Sequence, residues 1–144
     1  MKPTRPAGFE ELPHTADWCL HVWAMDLAGL FAEAARGLNA LCGAQPVEGQ
    51  REPRALALQA PDAESLLVAF LSELVYAAEH EGLVFENLEV EVESVDPADG
   101  FRLDAGMSAA PLQTLTRAIK AVTYHNLHIR QTQKGCEVEI VFDV

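Results

Sequence analysis

The sequence predicts an α+β domain, a two-layer sandwich in which two helices pack on a mixed, largely antiparallel β-sheet. Three observations carry that reading. Apolar residues recur at helical spacing in two stripes, over residues 27–41 and 66–78. The second half of the chain instead alternates apolar and polar residues with a period of two. The length of 144 residues, 49% of them hydrophobic, suits one core and one domain.

Residues 1–8 carry positive charge without a following apolar segment, so they read as a short mobile lead-in and not as a secretory signal. Residues 15–25 read as a strand. Ala16, Trp18, Leu20, Val22 and Ala24 share one face; Asp17, Cys19, His21, Trp23 and Met25 share the other. Asp26 stands where a helix N-cap belongs. Leu27, Leu30, Phe31, Ala34, Ala35, Leu38 and Leu41 then form the first helical stripe, and Gly43 is a natural stop. Residues 54–60 suit a short strand. Pro61-Asp62 opens the second helix, with Asp62 as cap, and Gly82 ends it. Its apolar face is Leu66, Leu67, Phe70, Leu71, Leu74, Val75 and Ala78.

Beyond that point the pattern is β. Leu88, Val90 and Val92 alternate with Glu89, Glu91 and Glu93, which leaves one face wet. Asp96-Pro97-Ala98-Asp99-Gly100 is a turn, and Phe101, Leu103, Ala105 and Met107 return from it. Residues 108–119 fit a loop or a short helix. Residues 121–130 and 136–144 fit a final hairpin around Lys134-Gly135. The alternation changes phase near His125-Asn126, which predicts a bulge there. No repeat or linker divides the chain, so residues 1–144 read as a single domain.

Composition narrows the function. There are 22 acidic residues against 10 basic ones, a formal net charge of -12. Nucleic-acid affinity comes largely from Lys and Arg neutralising phosphates, so tight direct binding of RNA or DNA is not expected. No apolar run is long enough to span a bilayer, so no membrane is expected. Cys19, Cys42 and Cys136 are scattered, odd in number and lack a Cys-x-x-Cys pair. Buried free thiols in a reducing, cytoplasmic compartment follow. No nucleotide-binding glycine motif, nucleophile elbow or paired His-Glu helix motif occurs, so no complete catalytic set is present.

Three segments could carry chemistry. His14-Thr15-Ala16-Asp17 comes first; its bland alternative is the start of a strand whose His14 and Thr15 satisfy local backbone groups. Asp143-Val144 is second. It sets a side-chain carboxylate beside an α-carboxylate, and two such anions repel unless water screens them or a cation binds. The alternative is a frayed, solvated terminus, although the strand is apolar up to its last residue. The third is Lys120 to His125. Lys120, Tyr124 and His125 suit acid–base roles, or else a strand with a snorkelling lysine and a half-buried tyrosine.

Taken together, His14-Thr15-Ala16-Asp17, Asp62-x-Glu64-x-Leu66-Leu67, Lys120-Ala121-Val122-Thr123-Tyr124-His125 and Phe142-Asp143-Val144 resemble the archease family, from about Phe9 to Val144. That resemblance implies a small α/β accessory protein, not itself an enzyme. Its partner would be an RtcB-type RNA ligase acting in tRNA splicing or RNA repair. The accessory protein promotes ligase guanylylation and multiple turnover. The resemblance also implies a metal site of Asp17, Asp143 and the terminal carboxylate of Val144. Lys120 matches the motif lysine, and His14, Tyr124 and His125 fall with it on the partner-facing side. Such an all-oxygen site suits a hard divalent cation: calcium, or else magnesium or manganese. The sequence departs from the family at Pro13, where many members have Asp. Two other readings use the same residues. One is a metal-dependent hydrolase with Asp17 and Asp143 as ligands and Lys120 or His125 as acid–base group; the other is a chaperone-like binding module.

Overall fold

Two aspartates start the two helices. The computed structural model describes residues 6–13, 17–95 and 100–144. In it Asp26 Oδ1 accepts from the Gly29 N–H at 2.7 Å and opens α1 (Leu27–Cys42). Asp62 Oδ1 accepts from the Ser65 N–H at 2.7 Å and opens α2 (Ala63–Tyr76). Each bond satisfies an N–H that a helix start leaves without an intrahelical partner. Gly43 closes α1 with a φ of 63°, the left-handed conformation that glycine adopts without a Cβ clash. α2 widens into a π-helical turn, Ala77–Glu81, and stops at Gly82, the glycine that the sequence marks as its end. The apolar stripes are the buried faces. They comprise Leu30, Phe31, Ala34, Ala35, Leu38 and Leu41 on α1, and Leu66, Leu67, Phe70, Leu71 and Leu74 on α2. Phe31 and Phe70 stack between the helices with ring centroids 6.0 Å apart.

The strands are β1 (Gly8–Leu12), β2 (Trp18–Ala24), β3 (Gln45–Pro46), β4 (Glu52–Ala60), β5 (Leu83–Ser94), β6 (Phe101–Thr114), β7 (Ala121–Val122), β8 (Arg130–Thr132) and β9 (Gly135–Asp143). They form two sheets. The first runs β1-β2-β9-β7, with β8 also on β9; in the second, β6 pairs with β3, β4 and β5. Every pairing among the described residues is antiparallel. The expected class therefore holds, with the strands shared between two sheets where the sequence suggested one. The helices join them: α1 packs on β1, β2, β9 and β5, and α2 on β4, β6 and β7. A single core results, with Leu20, Val22, Val138, Ile140 and Phe142 from the first sheet and Leu103, Ala105 and Met107 from the second.

Several expectations are corrected. Residues 108–114 are neither loop nor helix but the end of β6. Ser108-Ala109-Ala110-Pro111 carries too little side-chain contrast to show a period, and its strand state comes from pairing with β5 through Leu83↔Pro111 and Val84↔Ala110. Residues 121–130 are not one bulged strand. β7 covers two residues and the chain then turns, with Asn126 at a left-handed φ of 52°. The final hairpin is β8–β9, while β7 meets the opposite end of β9. Gly8 starts a strand missed in the lead-in, because Glu10-Glu11 breaks the alternation between Phe9 and Leu12. The expected turn at residues 96–99 lies outside the described residues, as does the 15–16 start of the first predicted strand.

Candidate metal and partner site

The site is built by the pairing of β2 with the last strand. Their register runs from Ala24↔Cys136 to Trp18↔Phe142. Val138, Ile140 and Phe142 are all 0% exposed, so β9 is packed into the core as far as Phe142. Continued by one residue, the register sets Asp17 opposite Asp143. On the other edge of β9, Ala121 pairs with Asp143, and the Lys120 N–H donates to the Asp143 carbonyl at 2.8 Å. Asp143 thus stands between the start of β2 and the start of β7. Its side chain is exposed, Asp17 and Val144 are half-buried, and Lys120 is exposed just after the buried Ile119.

Tyr124 and His125 follow on the turn that leaves β7. The Thr123 N–H donates to the Val141 carbonyl at 3.0 Å, which keeps the turn on the edge of β9. Its own bonds are His125 N–H to Thr123 Oγ1 at 3.2 Å and Leu127 N–H to the Tyr124 carbonyl at 3.1 Å. Tyr124 is 60% exposed, more than the half-buried ring that a plain strand would give. The structure therefore brings Asp17, Asp143, Val144, Lys120, Tyr124 and His125 to one end of the first sheet. His14 lies outside the described residues.

The donor set is oxygen only. Among the described residues no three His, Cys, Asp or Glu side chains gather closely enough to hold a metal ion. The two side-chain carboxylates would therefore need a third oxygen, which the α-carboxylate of Val144 can offer. That chemistry fits a hard cation and not zinc or copper. The thiols take no part: Cys19, Cys42 and Cys136 are buried and free. Burial pushes the Cys42 thiol up to about 11, partly offset by the nearby Arg117 charge. Burial also raises Cys19, with Glu139 adding to it, and Cys136, with Asp26 adding to it. Thiols held protonated are poor nucleophiles and poor metal ligands.

Two side chains make contacts that no spacing in the sequence predicts, although Glu64 itself stands in the Asp62-x-Glu64 motif. Arg117 stacks its guanidinium 4.5 Å from the centre of the Trp18 ring, next to Asp17 in sequence, and pairs with Glu11 at 3.2 Å. Glu64, in the first turn of α2, accepts from the Ile129 N–H at 3.0 Å. Neither contact follows from spacing, since each joins elements far apart in the chain.

Residues 9–144 match the Archease protein family. The chain is 33% identical to the protein archease of Methanosarcina mazei over 150 residues, with 99% of each chain covered. It is 32% identical to the protein archease of Thermococcus gammatolerans over 132 residues, with 88% of this chain and 91% of that one covered. Its fold is similar to the solution structure of protein 1598 of Methanobacterium thermoautotrophicum, with a TM-score of 0.71 at 24% identity over 95% of this chain and 99% of that one. It is also similar to a Thermotoga maritima crystal structure described as an archease, possible chaperone, with a TM-score of 0.66 at 17% identity over 94% of this chain and 96% of that one. None of the described helices is long and apolar enough to cross a membrane. By the family match across nearly its whole length and by relatives above 30% identity, this chain belongs to the archease family.

Proposed function

We propose that the protein is a metal-binding accessory factor that promotes guanylylation and multiple turnover of an RtcB-type RNA ligase in tRNA splicing or RNA repair. The observation that supports this reading most is that Asp17, Asp143 and Lys120 lie at the same end of the first sheet, in a chain of the archease family. Asp17, Asp143 and the carboxylate of Val144 would hold a divalent cation, calcium first, with magnesium or manganese as alternatives. A bound cation supplies positive charge that cancels the repulsion of these carboxylates and links β2 to β9. Lys120, Tyr124 and His125 stand exposed beside it and face the partner ligase. The net charge of -12 suits a protein that docks on a basic RNA enzyme without competing for its RNA.

The test is a guanylylation assay. The purified protein, an RtcB-type ligase, GTP and manganese are mixed and ligase-GMP is measured. Faster ligase labelling and more than one turnover per ligase are expected. Labelling of this protein itself by GTP would sink the accessory role, and phosphoester turnover without ligase would favour a hydrolase.

A further inference from the structure

From the geometry we infer that Glu64 is a positioning residue that fixes the exposed turn at residues 123–129 in the form it presents to the partner. The inference rests on the proposed accessory role. That turn leaves β7 at Val122 and rejoins regular structure at Arg130, the start of β8. At its near end it hangs on β9 through the Thr123 N–H and the Val141 carbonyl. At its far end the described side-chain bond is to Glu64, whose Oε2 accepts from the half-buried Ile129 N–H at 3.0 Å. The same oxygen lies 3.6 Å from His128 Nδ1.

Glu64 is suited to this task by its place in the fold. It lies in the first turn of α2, two residues after the Asp62 cap, where a carboxylate is favoured by the helix dipole. Its neighbours Leu66 and Leu67 are 0% exposed, so its backbone is anchored in the core. The turn is less well anchored. Leu127 and Ile129 are only partly buried against the core, while Tyr124, His125 and Asn126 are exposed. Asn126 holds a φ of 52°, a left-handed conformation that asparagine reaches more readily than most non-glycine residues, so the tip of the turn is set locally. A charge-assisted bond from a rigid helix start fixes the far end of this turn. Tyr124 and His125 are then offered in one arrangement, and a partner need not order them on docking.

The experiment uses the full chain with three variants, Glu64→Asp, Glu64→Ala and Glu64→Gln. Glu64→Asp keeps the negative charge at the helix start but is one methylene too short to reach Ile129. Glu64→Gln keeps an acceptor oxygen at full length. The first readout is hydrogen exchange of the Ile129 amide in the free protein. It should speed up by about ten- to a hundredfold in Glu64→Asp and Glu64→Ala, the size expected for losing one charge-assisted bond, and by only about fivefold in Glu64→Gln, which keeps the bond without its charge. The second readout is the concentration of each variant that gives half-maximal ligase guanylylation. It should rise in Glu64→Asp and Glu64→Ala, return toward wild type in Glu64→Gln, and leave the maximal rate unchanged. Unchanged Ile129 exchange in Glu64→Asp overturns the inference while wild type still stimulates the ligase. Faster exchange with no change in half-maximal concentration overturns it as well. A wild-type protein that does not stimulate any ligase overturns the accessory role and this inference together.

Discussion

Lys120 shows how much of the site is backbone and how much is side chain. Its N–H bond to Asp143 survives any non-proline substitution, and its side chain is exposed. Lys120→Ala should therefore change stability by no more than about 0.5 kcal/mol, as for other surface positions. If the amino group meets the partner, the same change should weaken ligase stimulation by about tenfold or more. Melting curves run beside the guanylylation assay separate the two. A large fall in melting temperature with unchanged activity per folded molecule would return Lys120 to a structural role. Cys42 makes a different test, of burial alone. Its thiol ionises at an ordinary value of 9.0 when unfolded and at about 11 when folded. Above pH 9 the unfolded chain sheds a proton that the folded one keeps. The stabilisation from burying the neutral thiol is thus complete below pH 9 and is lost as pH rises through 11. Denaturant midpoints at pH 8, 9.5 and 10.5 should fall less steeply for Cys42→Ala than for wild type; parallel slopes would contradict this account.

At the scale of elements, Gly37 sets how closely α1 approaches the first sheet. Mid-helix glycine costs about 1 kcal/mol relative to alanine, so propensity alone favours replacement. Packing opposes it. An added Cβ would lie 2.5 Å from Leu20 Cδ2 and 3.0 Å from Phe9 Cγ. Leu20 is 1% exposed and has no room to swing aside. Overpacking typically costs about 1–3 kcal/mol, which outweighs the gain in propensity. Gly37→Ala should thus lower stability by about 1 kcal/mol net and the melting temperature by roughly 2–4 °C. A higher melting temperature would mean that β1 yields to the helix. Elements also differ in how plainly they can be read. α1 and α2 were legible because stripe and cap are set by residues three or four apart. β3, β7 and β8 have only two or three residues each, too few to show a period.

For the whole molecule the main question is charge. The chain carries -12 and has Asp17 and Asp143 at one end of the first sheet. Carboxylates brought within about 4 Å oppose folding by roughly 1–4 kcal/mol per pair at water-like to surface-like dielectric. A cation there reverses that sign and ties the first sheet's β2 to its last strand. Calcium at about a hundred times its dissociation constant should stabilise the protein by about 2.7 kcal/mol. Asp17→Ala and Asp143→Asn should remove most of that gain. Extending the chain past Val144 replaces an anionic carboxylate with a neutral amide and should weaken calcium or manganese binding as seen by calorimetry. Equal affinity in extended and unextended chains would rule out Val144 as a ligand, even with Asp17 and Asp143 retained.

The sequence by itself determined the two helices, their caps, their buried faces and the acidic balance of the surface, because these are local or additive properties. It also held the motif residues, but only as separate stretches of chain. Tertiary structure decided which of them meet. The β2–β9 register, carried one residue past Trp18↔Phe142, sets Asp17 level with Asp143, and Glu64 reaches Ile129 from another layer. Nothing local sets that register. It is selected by burying Leu20, Val22, Val138, Ile140 and Phe142 on one face, and a slip of one residue would turn that whole set to solvent.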